Sequence, residues 1–363
     1  MHLFSVSNEH AIIEEVRCFI MHEMTKHKES DINMNQKKRK YGVEAGLCTY
    51  VSYKTLVPVE HFEDICKIDN HPYHIYAILS YDEFYFAKEK IVQTKDGIVF
   101  SVFTENQDGR KEYQTKPVPL VQGVDHTKVK LELVYPYKTV TLTITDEKYL
   151  ENTENPINLP VTVTAEDIFQ TYANHFVDKT EYEVLYIGQA YGADGNRTAI
   201  QRLASHSTLQ KILSEAYLNY PTKHIFILLL EISESLNLLF DGRAKEYTES
   251  DESTDRHLKE VTCDLPKEKQ VINITEAALI NYFKPVYNER LVNNFPNLKS
   301  KSYRQYFDLD YNALTVELDL EFDYSPRIQL FTNTARINSP FDAIRYHLYN
   351  DENRLSMYDI FVK

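Results

Sequence analysis

The 363-residue sequence lacks tryptophan altogether and contains only four cysteines and nine glycines. The cysteines, Cys18, Cys48, Cys66 and Cys263, form no CxxC pair and have no histidine partners at zinc spacing. Neither a disulfide framework nor a structural zinc site is therefore indicated. This cysteine usage is typical of a reducing compartment, and we expect a cytoplasmic protein.

Long apolar runs are also missing. The most apolar stretch, 225–230, is six residues long, whereas a membrane-spanning helix needs about 20. The opening segment MHLFSVSNEH has no basic region followed by an apolar core. We therefore expect neither export nor a membrane partner.

A surplus of positive charge is absent as well, because the formal net charge is −14. This value argues against a protein that coats nucleic acid by bulk electrostatics, which requires a broad cationic surface. Any phosphate contact must therefore be local. One local basic patch, 37–40, is interpreted as a solvated loop, with an arm that contacts a nucleic-acid backbone as the alternative.

The pattern of apolar residues predicts an α+β protein of three segments. In the first, 1–155, an amphipathic helix over 8–25 precedes short aromatic and β-branched runs, which predict an antiparallel β-rich domain with a targeting or regulatory role. The second, 165–300, alternates strands and helices and predicts a small α/β module. The third, 301–363, is predicted as a β-rich extension, possibly completing the N-terminal sheet. Its alternating residues at 314–324 favour an antiparallel strand with one wet face.

Three of the nine glycines, Gly188, Gly192 and Gly195, cluster in LYIGQAYGADGNR at 185–197. Their spacing matches neither GxGxxG nor GxxxxGK[ST], so a phosphate-binding nucleotide loop is not favoured. A strand that ends at Gly188, followed by a flexible loop, fits the pattern better.

The residues after this loop carry the polar groups of interest. On a predicted helix from about 198, Arg202 and His206 are four residues apart and share one face, where a guanidinium and an imidazole can hold a phosphate and move a proton. An exposed helix face is the alternative interpretation. The acidic stretch 246–255 is interpreted as a solvated insertion.

A later helix is predicted to start near Thr275 and to end at Pro285. Glu276 would open this helix, where it would either bind a ligand or complete a capping box with Asn273. Asn288 follows just beyond Pro285.

In this order, Tyr186-Ile187-Gly188, Arg202 with His206, Glu276 and Asn288 resemble the motifs of the GIY-YIG nuclease family. The resemblance covers roughly 180–290 and implies a three-stranded sheet flanked by helices. It further implies that Tyr186 lies at the active site, that Arg202 holds the scissile phosphate and that His206 assists proton transfer. By the same resemblance, Glu276 binds a single divalent cation and Asn288 buttresses the site.

The resemblance implies a metal-dependent endonuclease that uses Mg²⁺ or Mn²⁺, since a single carboxylate with remaining water ligands suits these ions. Its partner would be nucleic acid, with double-stranded DNA expected and RNA left open. Restriction or defence against foreign DNA is the biological setting suggested by analogy. A homo-oligomer or a regulatory partner would use the β-rich domain.

The family's first half-motif, a Gly-Ile-Tyr strand about ten residues before the second, is not legible in 173–183. Tyr172 and Tyr182 are the nearby tyrosines that come into question as general base. Two alternatives therefore stay open: a catalytically degenerate protein that binds nucleic acid or regulates a partner, and a structural module whose match to the motifs is accidental.

Overall fold

The computed structural model describes the chain in twelve ranges: 37–69, 71–106, 109–120, 123–152, 160–172, 175–177, 179–190, 207–219, 222–242, 246–322, 327–337 and 341–359. The fold is a mixed α+β architecture with one large sheet and three small ones, which confirms the predicted class. The predicted helix over 8–25 lies outside the described residues.

The large sheet has seven strands in the order β14-β11-β2-β12-β1-β13-β15. Its pairs are antiparallel except for β1 with β13 and β11 with β14, which are parallel. The strands are, in chain order, β1 (Val43–Pro58), β2 (Ile75–Asp82), β11 (Lys179–Gln189), β12 (Lys223–Phe240), β13 (Ala313–Asp319), β14 (Arg327–Phe331) and β15 (Phe341–His347).

Residues 84–177, hereafter the insertion, lie between β2 and β11 and form the small sheets. These are β3 (Phe84–Phe86) with β6 (Ser101–Asn106) and β7 (Gly109–Gln114), β4 (Val92–Gln93) with β5 (Ile98–Val99), and β8 (Val129–Leu133) with β9 (Thr139–Ile144) and β10 (Val161–Thr164). The short aromatic and β-branched runs that the sequence predicts in this part of the chain therefore form strands.

The described helices and helical turns lie both in the insertion and in the part of the chain that forms the large sheet. They are α1 (Phe62–Ile68), α2 (Glu147–Asn152), α3 (Ala165–Tyr172), α4 (Ser207–Asn219), α5 (Asp251–Cys263), α6 (Glu268–Phe283), α7 (Gln305–Asp308) and the 3-10 turns Val59–His61, Lys88–Lys90 and His126–Lys128.

Alternation of side chains gives the large sheet two apolar faces. On one face Ile75, Ala77 and Leu228 pack in a core with α6, whose residues are buried along most of its length. On the other face Tyr76 and Ile78 pack in a second core with α4 and α1. The centre of the sheet is therefore covered by helices on both sides.

The insertion has its own apolar core, separate from these two. Phe84, Phe100 and Phe169 are each at most 1% exposed within it. The side chain of Thr164 accepts a hydrogen bond from the Asp167 N–H at 2.9 Å, and the Asp167 carboxylate accepts one from the Thr164 N–H at 2.9 Å. This reciprocal cap fixes the start of α3.

Strands from all three sequence segments contribute to the large sheet, so the segment boundaries do not coincide with sheet boundaries. A separate three-stranded sheet for 165–300 was wrong, because β11 and β12 flank β2 from the first segment. β13 is the strand predicted around Thr315, and it is antiparallel to β15. The expected wet face was wrong at Thr315, because β13 lies between β1 and β15, runs parallel to β1, and buries Thr315 to 4% exposure.

Two charged stretches are more ordered than their composition suggests. The acidic run 246–255 is exposed at most of its residues but is not disordered, since Ser250 caps α5 and accepts a hydrogen bond from the Ser253 N–H at 3.2 Å. In the basic patch 37–40, Lys37 and Lys38 are exposed, whereas Arg39 is 2% exposed and donates to Asp241 at 3.0 Å. At Arg39 a specific partner outweighs the preference of charge for water.

Candidate functional site

Tyr186 lies near the end of β11, where the strand has a bulge. Its register with β2 shifts between Val184 and Tyr186, so Leu185 and Tyr186 both pack towards the core shared with α4. A bulge re-aims side chains in this way. Tyr186 is half-buried and faces the same side of the sheet as Tyr76 on β2.

Gly188 lies directly opposite Tyr76 in the β2–β11 pair. A Cβ atom at Gly188 would lie 2.8 Å from the Tyr76 hydroxyl and 2.8 Å from Cε1 of Tyr186. The centroids of the two tyrosine rings are 5.9 Å apart. Gly188 is therefore required within the strand for the close approach of both rings, and it does not end the strand as predicted, because β11 continues to Gln189.

Asn288 holds the free edge of β11 beside these tyrosines. Its side-chain oxygen accepts from the Ile187 N–H at 3.0 Å, and its amide nitrogen donates to the Ile187 carbonyl at 2.8 Å. The Tyr287 N–H also donates to the Leu185 carbonyl at 3.1 Å. Asn288 thus replaces a neighbouring strand for one residue, which fixes the backbone between Tyr186 and Gly188.

The position of Asn288 depends on how α6 ends. Lys284 caps the helix in the left-handed region with φ 49°, and Pro285 follows it. This geometry stops the helix and turns the chain back to β11. The Tyr287 hydroxyl donates to the Glu215 carboxylate at 2.7 Å, which ties the same segment to α4.

Glu276 reaches the end of β11 through Gln189. The Gln189 amide donates to the Glu276 carboxylate at 2.7 Å and to the Asn273 side-chain oxygen at 2.7 Å. Asn273 in turn donates to the Ser302 carbonyl at 2.8 Å. Gln189, which follows Gly188 in the chain, therefore links Glu276 to the end of β11, and its neutral amide orients the carboxylate.

The capping interpretation of Glu276 was wrong. α6 begins at Glu268, so Glu276 lies in the middle of the helix and Asn273 is not its N-cap. The helix extends upstream because Val271, Ile272 and Ile274 continue the apolar pattern and are at most 1% exposed. The carboxylate is thus available for a role other than satisfying the helix terminus.

Of the predicted site residues, Tyr186 lies on β11, and Asn288 and Glu276 form hydrogen bonds to Ile187 and Gln189 on either side of Gly188. Glu276 belongs to α6, which packs on the face of the sheet opposite the core that contains Tyr76 and Tyr186. Arg202 and His206 lie outside the described residues, as do Gly192 and Gly195. Sequence reasoning missed Tyr76 and Gln189.

Neither tyrosine considered as the missing partner of Tyr186 is beside it. Tyr182 belongs to the core with α6, on the opposite face of the sheet, and its hydroxyl accepts from Gln170 at 3.1 Å. Tyr172 packs against the core of the insertion. Among the described residues, the ring of Tyr76 faces that of Tyr186. Tyr76 belongs to the stretch HIY at 74–76, within which β2 begins at Ile75. That stretch was the available signal, but it lies about a hundred residues away from the second half-motif.

The donor set at Glu276 suits Mg²⁺ or Mn²⁺ better than zinc. Within the described ranges, histidine, cysteine, aspartate and glutamate residues form no group of three or more that could hold a metal ion. Mg²⁺ is commonly held by one or two carboxylates together with water and substrate phosphate. The half-buried Glu276 carboxylate is compatible with this mode.

Comparison with models of known protein families, with curated proteins and with solved structures gives no match. Among the helices that the structure describes, none is long and apolar enough to cross a membrane.

Proposed function

We propose that this protein is a metal-dependent endonuclease of the GIY-YIG type, whose two half-motifs are separated by the insertion. Tyr76 on β2 takes the place of the tyrosine in the first half-motif. The observation that carries the proposal is the register of β2 with β11, which places Tyr76 opposite Gly188 and beside Tyr186.

The arrangement of the surrounding elements supports this proposal. β11, β2 and β12 are consecutive antiparallel strands, with helices on both faces. Glu276 and Asn288 both make hydrogen bonds to β11 residues that flank Gly188. A chance match of short motifs would not be expected to converge on one end of one strand.

The chemistry we propose is hydrolysis of a phosphodiester bond. Charge develops on the non-bridging and leaving oxygens, where a guanidinium such as that of Arg202 stabilises it. A divalent cation bound by Glu276 would add electrostatic stabilisation of the same charge. The attacking water gives its proton to the phenolic oxygen of Tyr76 or of Tyr186, and that tyrosine passes its own hydroxyl proton to His206.

Gln189 and Asn288 position these groups without reacting themselves. Gln189 fixes the Glu276 carboxylate, and Asn288 fixes the backbone that carries Tyr186. Double-stranded DNA is the first substrate to test. A role in restriction or defence belongs to the proposal by analogy alone.

The test is cleavage of plasmid DNA and of RNA with Mg²⁺ or Mn²⁺ by the parent protein and by Glu276→Ala, Tyr76→Phe and Tyr186→Phe. We expect cleavage by the parent, a loss of at least 100-fold in Glu276→Ala, and a larger loss in whichever tyrosine variant removes the proton acceptor. Tyr172→Phe is the matched control and should cleave like the parent.

Equal cleavage by the parent and Glu276→Ala would contradict the proposal. Nucleic-acid binding by the parent without cleavage under any metal condition would favour the catalytically degenerate alternative instead.

A further inference from the structure

One face of the insertion carries aromatic side chains that its own core does not use. Tyr85 on β3 and Phe103 on β6 are register partners. They lie on the side of their sheet opposite Phe84, Phe86 and Val102, which are buried in the core. The centroids of the Tyr85 and Phe103 rings are 5.6 Å apart.

The row of rings continues onto the loop between β8 and β9. The rings of Tyr135 and Tyr137 are 5.9 Å apart, and Tyr135 is 82% exposed. The Tyr137 carbonyl accepts from the Phe86 N–H at 2.8 Å, which fixes the loop against β3. Tyr85, Phe103 and Tyr135 are called the aromatic face below, whereas Tyr137 packs against the core of the insertion.

Cations lie over two rings of the aromatic face and over the neighbouring ring of Tyr137. The guanidinium carbon of Arg110 is 3.6 Å from the centroid of the Phe103 ring. The Lys138 ammonium is 5.8 Å from that of Tyr85. Finally, the Lys88 ammonium is 5.6 Å from the centroid of the Tyr137 ring. All three distances are within the range of cation–π attraction.

Acidic neighbours balance part of this positive charge. Glu83 accepts from Lys138 at 2.6 Å, and Glu112 lies 3.7 Å from Arg110. The face therefore does not attract anions by net charge alone. Its characteristic feature is the alternation of rings and cations, which differs from the continuous apolar surface that a protein partner would bury.

We propose that the aromatic face binds unpaired nucleotides of a nucleic-acid substrate, with bases stacked on the tyrosine rings and on the Arg110 guanidinium that covers Phe103, and with phosphates contacting Lys138. This inference rests on the proposed nuclease function and specifies a substrate that has single-stranded character. Stacking of a base on an aromatic side chain contributes about 1–3 kcal/mol and tolerates every base. A site built from rings also suits a chain whose net charge is −14, since the affinity of such a site depends little on attraction between the net charge of the protein and the phosphates.

The experiment measures binding separately from cleavage. Binding is measured by fluorescence anisotropy in the presence of a metal chelator, and Glu276→Ala replaces the unsubstituted protein as the parent in this experiment. The labelled probes are a single strand of about 16 nucleotides, the matching duplex, and a duplex with a single-stranded overhang. We expect the single strand and the overhang to bind more tightly than the blunt duplex. Phe103→Ala and Tyr135→Ala, added to the parent, should each weaken that binding by about 5- to 150-fold.

Phe240→Ala is the matched control, because Phe240 is a 72% exposed phenylalanine at the end of β12, outside the insertion. It should bind like the parent. Tyr135 is so exposed that its substitution should leave the fold intact, and an unchanged melting temperature confirms this for each variant.

Unchanged binding in both Phe103→Ala and Tyr135→Ala, or equal binding of single strand and blunt duplex, would overturn the inference. A different result would contradict the nuclease proposal, namely binding that depends on the aromatic face but no cleavage by the unsubstituted protein. That result would leave the inferred binding site in place.

Discussion

The seven-stranded sheet and the insertion are built differently. The sheet is covered by helices on both faces and contains the candidate site at the end of β11. The insertion has small sheets around a separate aromatic core and presents the aromatic face. The difference suggests a division of work, with chemistry in the sheet and substrate recognition in a unit that has its own core.

The topology explains how such a unit is accommodated. β2 and β11 are antiparallel neighbours, so the end of β2 at Asp82 and the start of β11 lie at the same end of the sheet. A short hairpin turn would suffice to join them. The insertion takes the place of that turn and leaves the pairing of Tyr76 with Gly188 intact.

The largest expected effect comes from breaking the core of the insertion. Phe169→Ala should lower the free energy of unfolding by about 3–5 kcal/mol, because Phe169 is fully buried and stacks on Phe84 at 4.1 Å. Hydrogen exchange should show lost protection in β6 and β9 but not in β2 and β11. Equal loss of protection in all four strands would show that the insertion is not an independent unit.

A smaller effect is expected inside the sheet from Gly188→Ala. The added Cβ would lie 2.8 Å from the hydroxyl of Tyr76, and overpacking of this kind costs about 1–3 kcal/mol. Urea unfolding measures the loss. Gly242→Ala is the control, since the nearest atom to its Cβ would be 3.6 Å away in ordinary contact. Adding Tyr76→Phe to Gly188→Ala should restore part of the stability. If the changes in unfolding free energy of the two single variants simply add in the double variant, the contact between Cβ at position 188 and the Tyr76 hydroxyl is contradicted.

Tyr76 also marks the limit of what the sequence could predict. Local periodicity predicted β11 and the small strands, because these depend on neighbours in the chain. Tyr76 depends on strand pairing across about a hundred residues, for which local patterns give no register. The order of α5 and the burial of Arg39 likewise depend on partners that are distant in sequence.

Two of the site contacts were equally non-local. Residue type and order singled out Asn288 and Glu276, but their contacts with Ile187 and Gln189 span 101 and 87 positions. Gln189 itself had no motif of its own, since an amide that orients a carboxylate is recognisable only when both are seen together.

Gln189→Leu should affect the site without affecting the insertion. Losing the 2.7 Å hydrogen bond to Glu276 should raise the Mg²⁺ concentration for half-maximal cleavage by about 10- to 100-fold, the usual cost of removing a group that orients a metal ligand. Mn²⁺ binding, followed by electron paramagnetic resonance, gives the same comparison without activity. Gln114→Leu on β7 is the control. An unchanged metal requirement in Gln189→Leu would show that Gln189 does not position Glu276.

The smallest effect is expected where the sheet and the insertion meet, at His224 on β12. Its ring lies 2.9 Å from Glu60 and 3.9 Å from Glu166 on α3. Burial alone would lower the pKa of His224, but the carboxylates of Glu166 and Glu60 beside the ring outweigh it and raise the pKa to about 10. The protonated ring therefore bridges the two units at neutral pH.

A histidine whose pKa is higher in the folded than in the unfolded protein stabilises the fold fully below its unfolded pKa of about 6.5. That contribution is lost as the pH rises from about 6.5 through about 10. His224→Gln should therefore be less stable than the parent by about 1 kcal/mol at pH 6, a value between those of exposed and buried ion pairs. The difference should disappear above pH 10. Urea unfolding of both proteins between pH 6 and 10.5 measures it, and a constant difference across this range would mean that His224 joins the two units by packing rather than by its charge.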